Sequence, residues 1–70
     1  MTNQNTIGST IRRLRTERGL HRDDFAKRIG IEGGHLYRLE EGFHSPSAKI
    51  ITKMCLEFQV SADVILGIKN

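Results

Sequence analysis

Three glycines, Gly19, Gly30 and Gly42, divide the first part of the chain into segments that suit short helices and little else. Each follows a stretch whose apolar residues recur three and four positions apart, and glycine is the residue that most readily takes the left-handed turn ending a helix. The first stretch runs from about Ile7 to Arg18 and carries Ile7, Ile11 and Leu14. The second, Arg22 to Ile29, places Phe25, Ala26 and Ile29 on one side, and the third, Gly33 to Glu41, turns Leu36 and Leu39 inward. Beyond Gly42, Ser45-Pro46-Ser47 predicts the opening of a fourth helix with Pro46 in its first turn, and Ile50, Ile51, Met54, Cys55 and Phe58 as its apolar positions. Ser61 is a good N-cap for a short fifth helix bearing Ala62, Ile65 and Leu66. No segment alternates polar and apolar residues as a half-buried strand does. The expectation is an all-α fold, a compact five-helix domain. Residues 7–67 would form that domain, with residues 1–6 a flexible N-terminal arm and residues 68–70 a C-terminal tail.

Several function classes are excluded at this stage. Seventy residues suit one domain, and a domain of this size buries only about 60% of its unfolded surface, which leaves little core to give up to a substrate cleft. Paired carboxylates, a phosphate loop and a nucleophile–base set are all missing, so no enzyme is expected. His21, His35 and His44 lack ligand spacing, and the single cysteine, Cys55, falls on the apolar side of the fourth helix; neither a metal nor a cofactor is expected. One cysteine also excludes an intrachain disulfide and suits a reducing cytoplasm, and no apolar run is long enough for a membrane. The formal net charge is +3 with a pI near 9.5, and eight of the eleven Lys and Arg fall between Arg12 and Arg38. That bias permits attraction to an anionic polymer without demanding it.

The stretch from Arg22 to Leu39 says more. Ala26 is small where two helices must cross closely, Gly30 stands where the chain must reverse, and Leu36 and Leu39 anchor the next helix. A helix-turn-helix needs those residue types in that order. With Leu36 and Leu39 turned inward, Gly33, Gly34, Tyr37, Arg38 and Glu41 share one outward stripe.

Over Ile7 to Gly67 the chain resembles the phage repressor and Cro type of helix-turn-helix regulators, a lambda-repressor-like fold. The resemblance rests on Ile7-Gly8-x-x-Ile11-Arg12-x-Leu14-Arg15-x-x-Arg18-Gly19-Leu20, on Phe25-Ala26-x-x-Ile29-Gly30-Ile31 and on Leu36-x-Arg38-Leu39-Glu40-x-Gly42, completed by Pro46-Ser47 and Val60-Ser61-x-Asp63. It implies a sequence-specific transcriptional regulator, a repressor by preference, that binds a palindromic operator in double-stranded DNA as a homodimer. The third helix would then read bases through Gly33, Gly34, Tyr37 and Arg38. Arg22 would grip a phosphate at the start of the second helix, His35 would reach a flanking phosphate, and Phe43, His44, Ser45 and Ser47 would run along the backbone. Arg15 and Glu40 match a structural ion pair of the family.

The chain departs from the family's pattern at four places. His21-Arg22 replaces a small polar residue and Gln, Glu32 replaces a Ser or Thr cap, Gly33-Gly34 replaces long polar readers, and Phe43-His44 replaces a basic run. Base reading would fall on Arg38, Tyr37 and His35. The glycine pair admits two readings, a loose start to the third helix or close approach of its N–H groups to a phosphate, and it also suits an antitoxin-like module that uses the fold to bind a protein partner. Arg12, Arg13 and Arg18 are expected to form a solvated face, an Arg38–Glu41 pair is the bland alternative to base reading, and Phe58 with residues 59–62 suits either core or a dimer seam.

Overall fold

A computed structural model describes residues 7–66, all of whose regular elements are helices: α1 (Ile7–Glu17), α2 (Arg22–Arg28), α3 (Gly33–Glu41), α4 (Ala48–Phe58) and α5 (Ala62–Leu66). The fold class matches the expectation; the arm at residues 1–6 and the tail at 68–70 lie outside the described residues. The turns after α1, α2 and α3 pass through left-handed glycines, with φ of 67° at Gly19, 78° at Gly30 and 87° at Gly42. A side chain is disfavoured in that conformation whatever the space around it. The turn after α4 uses Gln59 in the same conformation.

The core is one cluster built from every helix: Ile11 and Leu14, Phe25, Ala26 and Ile29, Leu36 and Leu39, Met54 and Phe58, and Ile65. Phe25 and Phe58 stack with centroids 4.5 Å apart, tying the helix-turn-helix to α4. Phe58 is therefore core, while Gln59 and Ser61 beyond it are exposed. Cys55, Ile50 and Ile51 pack against the cluster from its edge. On α5, Ile65 takes the inward position and Leu66 stays exposed.

The third helix packs against both α1 and α2, while α5 closes the other end against α1 and α4. The crossing of α1 and α3 is made at Gly8. A Cβ there would collide with the backbone carbonyl oxygen of Leu39 and come within 2.6 Å of that of Glu40. Two backbones can lie that close only when one of them carries no side chain.

Pro46 is not in the first turn of α4. That helix starts at Ala48 behind Ser47, whose Oγ accepts from the Ile50 N–H at 3.2 Å, so Pro46 precedes the cap. Proline disfavours helical backbone in the residue before it, which keeps Ser45 out of the helix as well. Ser61 caps α5 in the same way, its Oγ accepting from the Val64 N–H at 3.3 Å.

Candidate nucleic-acid interface

Leu36 and Leu39, at 0% and 1% exposure, pin α3 to the core and fix what its outer side presents. That side carries Gly33, Gly34, Tyr37, Arg38 and Glu41, with Tyr37 exposed and Arg38 in solvent. The helix is regular from Gly33 onward, with extended backbone at Glu32 just before it, so the glycine pair does not loosen its start. Neither Glu32 nor His21 makes a side-chain cap, and the first N–H groups of α2 and α3 are unclaimed by either residue.

The side chains named from the sequence gather at one end of the molecule. His35 meets His44 edge to face at 5.9 Å, and Tyr37 meets the exposed Phe43 at 6.5 Å. These contacts draw the loop after α3 against the outer side of that helix. Arg22 lies over the Tyr37 ring, 5.3 Å from its centroid, which joins the start of α2 to the same patch. Ser45 and Ser47 are exposed further along the chain, Ser47 with its oxygen committed to the α4 cap.

Beneath the patch sits a buried carboxylate. The Glu40 side chain is fully enclosed, and Arg15 clamps it with Nε donating to Oε2 at 2.6 Å and Nη2 donating to Oε1 at 3.1 Å. A bidentate guanidinium–carboxylate pair is the strong form of this interaction. Arg15 also donates through Nη1 to the Leu20 carbonyl at 3.1 Å, so one side chain joins α1, α3 and the turn between α1 and α2. Arg12 Nε lies 3.5 Å from Glu40 Oε1, and Arg22 Nη2 donates to the same oxygen at 3.4 Å. Arg22, assigned to phosphate from the resemblance alone, thus already has a carboxylate and an aromatic ring as partners. Its Nε is buried with no hydrogen-bond partner among the described residues.

Two expectations about arginines need correction. Arg12 pairs with Glu41, and this hydrogen bond, ahead of the opposing effect of burial, raises the guanidinium above its ordinary pKa. Arg18 donates to the Leu14 and Phe58 carbonyls and lies over the Phe58 ring at 5.4 Å. Neither belongs to a merely solvated face, since each spans two helices and ties α1 to another element. All three remain exposed, as expected, but Arg13 alone reaches only its own helix, near Glu17. Because Arg12 takes Glu41, Arg38 is left without an acidic partner. Among the arginines it alone makes no hydrogen bond, ion pair or ring contact within the described residues.

Two contributors escaped the sequence reading. Arg12 and Glu41 are 29 positions apart, and only the crossing of α1 and α3 brings them together. Asp23 lies in the first turn of α2 against Gly33, where a Cβ at position 33 would collide with its carboxylate. A residue without its Cβ opposite a first-turn acid was the signal that could have found it.

A short helix anchored by two leucines, crossed by a second helix over Ala26 and reversed at Gly30, is a helix-turn-helix, and its exposed side is the surface such domains turn to DNA. The helix-turn-helix family model of the Cro/C1 type matches residues 11–65, and the chain belongs to that family. It is a DNA-binding type of domain. The chain is also 38% identical over 61 residues to the antitoxin PezA of Streptococcus pneumoniae serotype 4, a match that takes in 87% of this chain. The matched stretch covers 39% of that protein's own length. Among the described residues, no helix is long and apolar enough to cross a membrane.

Proposed function

We propose that this chain is a sequence-specific transcriptional regulator, a repressor in the cytoplasm, that lays α3 in the major groove of a palindromic operator and acts as a homodimer. The observation that carries this reading is Arg38, held outward by the two buried leucines and free of any acidic partner. A guanidinium so placed matches the O6 and N7 acceptors of guanine. Tyr37 supplies an apolar contact beside it, and His35, His44 and Ser45 line the edge where the backbone would pass. Leu56, 74% exposed on α4, and Val64, 41% exposed on α5, are apolar side chains that a second copy could cover. Repression would follow from occupancy, a bound dimer covering the site that a polymerase needs.

A second reading keeps the fold and changes the partner. The similarity to an antitoxin and the two side chains missing at Gly33-Gly34 favour a module that binds protein through the same exposed side. Titration against random duplex DNA at several salt concentrations separates the two. DNA binding predicts log K falling linearly with log salt, by roughly one unit for each phosphate contacted. Binding that is absent or indifferent to salt would discard the regulator and leave the protein partner. Selection from a random duplex pool then gives the operator, and its half-site spacing reports the dimer.

A further inference from the structure

We propose that Asp23, a residue of α2, supplies the base-reading group at the start of the recognition helix, and that it selects cytosine there. The inference rests on the DNA-binding reading above and deepens it.

Position 33 is the first outward position of α3, where a reading side chain would begin. It holds glycine, and the space its Cβ would fill is occupied by the Asp23 carboxylate. The Asp23 Cα itself is 3.9 Å from that point, so the backbone of α2 brings the acid there and a chance rotamer is not needed. Asp23 is exposed and makes no hydrogen bond or ion pair among the described residues, so both its oxygens are unclaimed. Its neighbour Arg22 turns the other way, toward Glu40 and Tyr37. On the far side of the glycine pair, Arg38 Nη1 lies 3.6 Å from where a Cβ on Gly34 would stand. The two glycines therefore form a bare floor with a carboxylate at one edge and a guanidinium at the other.

The chemistry of the carboxylate fixes what it can read. An ionised Asp accepts hydrogen bonds and donates none. In the major groove guanine shows only acceptors, thymine shows an acceptor and a methyl group, and adenine sets the N7 acceptor beside its amino group. Cytosine alone shows a donor, N4, with no acceptor next to it. A carboxylate facing the groove is thus matched best by cytosine, only half matched by adenine, whose N7 acceptor lies beside its amino group, and opposed by guanine and thymine; it would also repel a phosphate. Arg38 complements it with donors suited to guanine.

The test uses the full chain with Asp23→Ala and Asp23→Asn, each checked for helical content and melting. In selection and competition titrations the wild type is expected to enrich cytosine at one position of each half-site. Asp23→Ala should relax that preference by roughly 5- to 10-fold with the rest of the site unchanged. Asp23→Asn, which keeps the shape and can pair with the N6 and N7 of adenine, should move the preference to adenine. If Asp23→Ala folds poorly, the near-isosteric Asn variant still decides. A wild type that selects a site while both variants keep its preference at every base, with affinity altered equally for all sequences, overturns the inference and makes Asp23 a mere charge at a helix end. A wild type that shows no salt-dependent DNA binding removes the regulator reading and this inference together.

Discussion

Replacing Glu40 by Gln should destabilise the domain more than a change at any of the exposed acids would. The substitution keeps the volume and one acceptor oxygen but removes the negative charge at the junction of α1, α2 and α3. Arg15, whose side chain is 12% exposed, would lose the carboxylate that its Nε and Nη2 address. Removing one partner of a buried ion pair costs ~3–5 kcal/mol, because the other charge stays out of water uncompensated. The lower end applies here. The Gln amide oxygen can still accept from Arg15, and the Leu20 carbonyl remains in place. Arg12 and Arg22, with side chains 45% and 37% exposed, regain water and lose at most ~1 kcal/mol each. The expected loss is therefore about 3 kcal/mol, out of a total stability of roughly 4–10 kcal/mol for a chain of this size. A drop of that size lowers the melting temperature of such a domain by roughly 12–24 °C. Urea and thermal unfolding followed by far-ultraviolet circular dichroism would measure it. In a double-mutant cycle, Arg15→Gln combined with Glu40→Gln should cost clearly less than the sum of the single changes. A Glu40→Gln protein that melts within about 4 °C of the wild type, or a cycle with no coupling, would refute the argument that this carboxylate fastens the three helices.

The remaining predictions concern backbone spacing and the division of labour on α3. Gly8→Ala should cost about 2–3 kcal/mol in a urea titration, since the obstructing atoms are backbone carbonyls of α3 that cannot turn aside. Gly34→Ala, with only the end of the Arg38 side chain near the new methyl, should instead stabilise the helix by ~0.5–1 kcal/mol; equal effects from the two substitutions would contradict this account of the crossing. Arg38→Ala should relax preference at one base position in a selection experiment, whereas Arg22→Ala should weaken binding to all sequences alike. Identical profiles for the two would remove the distinction between reader and anchor.

The fold was legible because its signals are local. Helix ends at Gly19, Gly30 and Gly42 announce themselves by residue type, and Ile11, Leu36 and Leu39 by spacing, so the positions and faces of the first three helices follow from a few residues each. The α4 start was misplaced by a turn signal read too literally. Ser45-Pro46-Ser47 offers both a proline suited to a first turn and a serine suited to a cap, and the hydrogen bond from the Ile50 N–H to Ser47 decides for the cap. The Arg15–Glu40 pair was legible through the family resemblance, but the partners of the other arginines were not. Arg12, Arg18 and Arg22 are polar residues at exposed-looking positions, and their roles depend on which acid, carbonyl or ring another helix brings within reach.

That limit changes the meaning of the net charge. Seven arginines fall in the described residues, and six of them are engaged by carboxylates, carbonyls or aromatic rings of the fold itself: Arg12, Arg13, Arg15, Arg18, Arg22 and Arg28. Four of these stand against glutamates, which leaves the excess of +3 to Arg18, Arg22, Arg38 and the four lysines set against Asp23, Asp24, Glu32 and Asp63. The outer side of α3 keeps Arg38, with Asp23 and Glu32 as negative neighbours near its start. A surface so sparsely charged gains little from phosphate neutralisation, and the salt dependence of a monomer should be shallow, near one unit of slope for each of the few cations that can reach the backbone. On the proposed reading, affinity would require two copies on one site, each adding the same few contacts, and specificity would rest on discrimination by Arg38 and Asp23, not on electrostatic strength.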